Sequence, residues 1–111
     1  MTSFVGGAYV DVFRSFINAT SMGNTEVVGA RGASVKIRVI AYVVVTTLAN
    51  SVKFQSATTD IGPSMPFGAN GGVIVPTNSN GWHQTAAGEA LNVNLSVGTN
   101  TAVHVLWVEV K

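Results

Sequence analysis

The sequence has no cysteine and very few charged residues. Of its 111 residues only 10% are Asp, Glu, Lys or Arg, against about 25% in an average soluble domain. Without cysteine the chain can form no disulfide framework, no cysteine-based zinc site and no thiol nucleophile. Its net charge of +1 lacks the clustered Lys and Arg of a nucleic-acid-binding surface, so we expect no nucleic-acid partner. A hydrophobic fraction of 47% excludes a disordered chain.

Long hydrophobic runs are also missing. The longest, residues 39–45, is far shorter than the roughly 18 to 20 residues of a membrane-spanning helix. Residues 1–7 contain neither the basic nor the apolar segment of a secretory signal. We therefore expect synthesis in the cytoplasm and no membrane partner.

Apolar and polar residues alternate along much of the chain. Residues 91–97 place four apolar side chains on one face and two Asn and one Ser on the other, and residues 35–39 and 52–56 also alternate. This period of two is typical of half-buried β-strands, and clusters of Gly, Asn, Pro and Ser separate the segments. The predicted strands are 8–13, 24–29, 34–47, 51–56, 71–76, 81–85, 89–97 and 101–110.

About eight short strands separated by turns predict an all-β fold, an antiparallel β-sandwich resembling a jelly roll. One helical turn is predicted at residues 14–18. Residues 8–111 form the single predicted domain, and residues 1–7 a flexible N-terminal arm. The alternatives for this arm are a frayed end and an anchor on a neighbouring surface through Phe4 and Val5.

Two strands, residues 39–45 and 102–108, are apolar on both faces. A strand of a small sandwich normally buries one face and exposes the other. Either loops or the N-terminal arm cover the second face, or a sister subunit does, since large exposed apolar patches are rare on monomers. We predict a subunit interface of a homo-oligomer, with the following members: Tyr42, Val44, His104, Val105 and Trp107.

No pattern of catalytic residues is present. The five acidic residues are scattered, and the two histidines, His83 and His104, lie far apart. No G-x-S-x-G motif marks a nucleophile. The prediction is a protein that is not an enzyme and has no metal or cofactor. His104 is interpreted as a hydrogen-bonded structural residue, the alternative being a metal or proton-linked contact near a symmetry axis.

Trp82 and His83 adjoin a predicted loop. Tryptophan is enriched where proteins bind partners, so these two residues are candidates for partner contact, together with Phe4 and Val5. The alternative is that Trp82 closes one end of the sandwich.

The order of segments resembles that of a known class of virion protein. An apolar strand at 35–45 and a short strand at 52–57 precede Asp60-Ile61-Gly62-Pro63 and a glycine-rich stretch that ends at residue 72. Gly88-Glu89-Ala90-Leu91 and the terminal strand 103–108 follow. This layout, over residues 24–111, is similar to that of the capsid decoration, or cement, proteins of tailed bacteriophages.

The resemblance implies a structural role on the outer capsid surface of a virion. A decoration protein binds the major capsid protein, commonly as a homotrimer, and stabilises the shell by holding several weak contacts together. The alternative is a trimeric receptor- or glycan-binding head of a phage fibre or spike, with Trp82, Asn78 and Asn80 as candidate sugar contacts. A cupin-like enzyme is disfavoured because its metal site needs more histidines than the chain has.

Overall fold

The computed structural model describes residues 2–5 and 8–111, with side chains from Asp11 onward. Every regular element in this part of the chain is a β-strand. It holds no helix long and apolar enough to span a bilayer. The strands are β1 (Thr2–Val5), β2 (Ala8–Asp11), β3 (Phe13–Ala19), β4 (Gly23–Val28), β5 (Lys36–Thr46), β6 (Asn50–Ser56), β7 (Thr59–Asp60), β8 (Met65–Phe67), β9 (Gly72–Val75), β10 (His83–Gln84), β11 (Leu91–Leu95) and β12 (Thr101–Val110).

Two five-stranded antiparallel sheets pack against each other. Sheet I has β3 at one edge, followed by β12 and β5. The short strands β9 and β10 pair one after the other with the far edge of β5. Sheet II runs from β4 through β11 to β6, whose outer edge carries β7 and β8. The predicted all-β antiparallel sandwich is confirmed. Strands β1 and β2 form a separate two-stranded sheet, and the predicted flexibility of residues 1–7 stays a prediction.

The core lies between the two sheets, and β11 illustrates how the sequence builds it. Leu91, Val93 and Leu95 are buried, while Asn92 and Asn94 point away from the core, as the alternation predicts. The core cluster is completed by residues from both sheets, chiefly Ile37, Val39, Tyr42, Val44, Val52, Phe54, Val103, Val105 and Trp107. Burying such a set of side chains is the main source of stability of the sandwich.

A β-bulge in β5 reverses which residues face the core. Trp107 of β12 pairs with Val39, but its neighbour Leu106 pairs with Ala41, so Ile40 is an extra residue without a partner. One extra residue moves every later side chain to the opposite face. Odd-numbered residues of β5 therefore face the core up to Val39, and even-numbered ones do so from Tyr42 on.

The helical turn predicted at residues 14–18 is wrong, because these residues lie within strand β3. Residues Phe13 to Asn18 alternate between partly buried and exposed, and β3 pairs with β12 in unbroken register from Phe13 to Ala19. Phe13, Phe16 and Ile17 have a helix-like spacing of three and four. Pairing with a long neighbouring strand outweighs this local preference.

Candidate interaction surface

The outer face of sheet I, which points away from sheet II, carries a row of four side chains that crosses four strands. His104 of β12 lies between Phe16 of β3 and Val43 of β5, and Val43 pairs in turn with Ile74 of β9. Phe16 is 74% exposed and Ile74 is 78% exposed. We call these four residues the open row. Phe16 and Ile74 are thus exposed to solvent, although each has an apolar or aromatic side chain as its cross-strand neighbour.

The surroundings of the open row are also poor in charge. One neighbouring row pairs Ala102 with Asn18 and Val45, and the other pairs Leu106 with Arg14 and Ala41. Two shallow depressions flank His104, with volumes of about 270 and 300 Å³. Among the described residues their lining is mainly apolar, and Arg14 is its one charged side chain. This is the composition of a protein-binding patch rather than of a site for a charged ligand.

The other end of the same face is covered by the chain itself. Val12, in the link between β2 and β3, packs on Ile40 and Val108, and all three are buried. Of the two alternatives for the second apolar face, self-coverage therefore applies to this end. No described segment lies over the open row, where Phe16 and Ile74 stay exposed.

The interface prediction is wrong for four of its five residues. Tyr42, Val44, Val105 and Trp107 lie in the core between the sheets, with at most 8% of their surface exposed. Side chains buried to this extent cannot contact a sister subunit. The physical reason in β5 is the bulge at Ile40, which turns the residues after it to the opposite face.

His104 is the one predicted interface residue that the structure places on the outer face. It is exposed, and its ring centroid lies 5.8 Å from that of Phe16. Its cross-strand partners are Phe16 and Val43. Sequence reasoning missed Phe16, Val43 and Ile74. The alternation of β5 directs Val43 outward only once the bulge at Ile40 is placed.

His83 does not lie at a contact surface, so its predicted role in partner contact is wrong. The side chain is 9% exposed and packs between Tyr42 and Phe54, with ring centroids 5.5 and 5.2 Å away. Its Nδ1 donates to the carbonyl oxygen of Ile61 at 3.2 Å, since a carbonyl can only accept. Nε2 is buried and has no hydrogen-bond partner among the described residues. Burial lowers the pKa of His83, an effect that the Ile61 hydrogen bond partly opposes.

Trp82, the neighbour of His83, is 42% exposed. Its indole N–H donates to the carbonyl oxygen of Pro76 at 2.8 Å, which fixes the ring beside the loop that contains Asn78 and Asn80. Trp82 therefore remains available to a partner. Phe4 and Val5 lie in β1, and their side chains fall outside the described residues.

The outer face of sheet II is polar, in contrast to the open row. A cross-strand row of Glu26, Asn92, Gln55 and Asp60 runs over it. Hydrogen bonds from Gln55 and Lys53 lower the pKa of Asp60, and Lys53 lies 3.2 Å from its carboxylate. Glu26 and Asp60 at the two ends of this row are exposed to water, whereas Gln55 is buried.

Among the described residues, no three His, Asp or Glu side chains lie close enough together to hold a metal ion. Comparisons with family models, with curated proteins and with solved structures found no match to this chain. The most distinctive functional feature is thus a surface: an apolar row, open to solvent, on one face of a sandwich.

Proposed function

We propose that the protein is a non-enzymatic structural protein of a tailed-phage virion, a decoration protein that binds the outer capsid surface as a homotrimer. Its partners are its own sister subunits and the major capsid protein. The observation that carries this proposal is the open row, because an exposed apolar surface across four strands is rare on a protein that works alone. The resemblance in segment order supports the capsid as the setting.

The physical logic is that of a multivalent clamp. Subunits held together through apolar surfaces present several identical contacts to the shell, and together these bind far more tightly than one. A jelly-roll arrangement of about eight main strands belongs to the same proposal, since it is rigid enough to hold those contacts in place. The low charge also fits, because a subunit packed into a shell has little charged surface to hydrate.

A second candidate is a glycan-binding head of a fibre or spike. The specific observation in its favour is Trp82, whose ring is exposed while its N–H is held by Pro76. A fixed aromatic face next to Asn78 and Asn80 offers a stacking platform with amide groups beside it. This candidate uses the loop and leaves the open row without a role.

The test is binding of the purified protein to expanded capsids of the phage that encodes it. We expect it to bind and to raise the temperature at which the capsids break open. Val43→Lys, in the open row, should weaken binding, whereas Asn94→Lys, partly exposed on the outer face of sheet II, should not. Binding to a glycan array but not to capsids, abolished by Trp82→Ala, would favour the fibre head. A reconstruction of the particle would then place the density at the tail tip.

A further inference from the structure

Strand β3 is the free edge of sheet I. In the described part of the chain its only strand partner is β12, so the backbone groups along its other side have no partner. Such an edge is a template for pairing with another strand. Proteins commonly protect free edges with prolines, bulges, short strands, or charged side chains on the edge or pointing inward.

β3 has only one of these protecting features, a single charged side chain. It is seven residues long, contains no proline, pairs with β12 without a register shift, and carries one charged residue, Arg14, which points outward. The opposite edge of sheet I differs, since β9 and β10 have four and two residues and Pro76 directly follows β9. The contrast singles out β3 as the edge that is open to pairing.

The sequence of β3 is complementary to itself. Phe16 is the central residue of Phe13–Ala19, so an antiparallel pair of β3 strands with its two-fold axis at Phe16 places each Phe16 opposite the other. Arg14 then lies opposite Asn18 of the second copy, and no like charges meet. On the inner side, Phe13 lies opposite Ala19, which matches a large side chain with a small one.

The same arrangement continues the open row across the axis. Phe16 ends the row of one copy, and in the pair it would meet Phe16 of the second copy. Aromatic cross-strand pairs of this kind stabilise antiparallel sheets. The joined sheet would have ten strands, five from each copy. Phe13 and Ile17, which are only partly buried in one chain, would gain cover.

We infer that β3 pairs with β3 of a second copy of this chain, antiparallel and centred on Phe16. This contact is independent of the proposed capsid role, because it requires only two copies of the protein and no capsid. A two-fold contact cannot close a trimer. Where the proposed homotrimer also forms, this pairing links trimers two by two, which is how neighbouring trimers on a shell would be connected.

The test uses cysteine cross-linking of the purified full chain, which has no cysteine of its own. Opposite residues of an antiparallel pair have Cα atoms about 4.5–5.5 Å apart, within disulfide range. Arg14 and Asn18 are opposite each other in the proposed register, whereas the two copies of residue 14 lie about 13 Å apart along the strands. Under mild oxidation, a mixture of Arg14→Cys and Asn18→Cys should therefore form disulfide-linked dimers.

The matched controls are the two cysteine variants by themselves, which should stay uncross-linked. A mixture that fails to cross-link, or single variants that cross-link as well as the mixture, would overturn the register. Both variants leave Phe16 in place and change exposed outward side chains, so the fold is preserved.

A charge pair at the axis gives an independent measurement. Phe16→Lys and Phe16→Glu each place like charges opposite each other, and should weaken the dimer at least tenfold in sedimentation experiments. Mixing the two variants should restore association, and failure to do so would contradict the pairing. Wild-type protein should sediment as a dimer, or as a hexamer where the trimer forms; a monomer or an isolated trimer would refute the inference. Because no capsid is present, the result is independent of the capsid-binding test.

Discussion

Val43 and Val44 are consecutive residues of β5 that lie on opposite faces of sheet I, so the same substitution at both positions tests which face is buried. Val44 has no exposed surface, and its core cluster contains no carboxylate. Val43 is partly exposed in the open row. We expect Val44→Lys to unfold the protein and Val43→Lys to leave it folded.

The magnitude follows from the burial of each side chain. Removing the contacts of Val44 costs about 1.5–3 kcal/mol, and burying an unpaired ammonium group adds several kcal/mol. The sum is comparable to the whole stability of a typical domain, about 5–15 kcal/mol. At Val43 the Lys side chain reaches water, so the cost is limited to the strand preference, at most about 1 kcal/mol.

Urea denaturation followed by circular dichroism measures both effects. It should be repeated at several protein concentrations, because self-association adds a concentration-dependent stability. Val43→Lys should lose the part of that concentration dependence that arises from contacts of the open row, keep the part that arises from β3 pairing, and retain the monomer's transition. Equal destabilisation by the two substitutions, or a greater loss from Val43→Lys, would show that the bulge at Ile40 has been placed wrongly and that the open row faces inward.

Two further predictions concern buried polar groups. Because burial holds the pKa of His83 below the ordinary value of 6.5, the unfolded chain binds a proton that the folded chain does not; stability should be full above about pH 6.5 and fall below it. Denaturation at each pH should show a smaller slope in His83→Phe than in the wild type. Asn50 accepts hydrogen bonds from Ser96 and the Val97 N–H and donates to the Val97 carbonyl, so Asn50→Ala should cost about 2–3 kcal/mol in the same assay, against little for Asn94→Ala.

Much of the fold could be predicted because most strands are half-buried and their side chains alternate. The segment around Val93 is the clearest example, and its inward and outward residues agree with the structure. β3 could not be predicted in this way, because Phe13, Phe16 and Ile17 satisfy a helical spacing. Its strand form depends on pairing with β12, which is distant in sequence.

The site was harder to predict than the fold. Alternation from Val35 to Val39, extended to the end of β5, places Tyr42 and Val44, two of the predicted interface residues, on the outer face. A single extra residue at Ile40 reverses the outcome. In a run where both faces are apolar, residue type does not reveal such a bulge, because valine fits either side. Only the pairing with β12 locates it.

The bulge also explains why one end of the outer apolar face of sheet I is covered by the chain and the other end is exposed. The extra residue, Ile40, lies beside Val108 under Val12, so the end of the face nearest the bulge is sealed within the chain. Beyond it, Ala41 is still buried, Val43 is partly exposed and Val45 is exposed. Residues 39–52 contain no charged side chain, but only some of these residues lie in the core. Others, Val43 and Val45 among them, lie on the exposed half of the outer face of sheet I. A partner that excludes water from this half would bury apolar surface and would have few charged groups to desolvate.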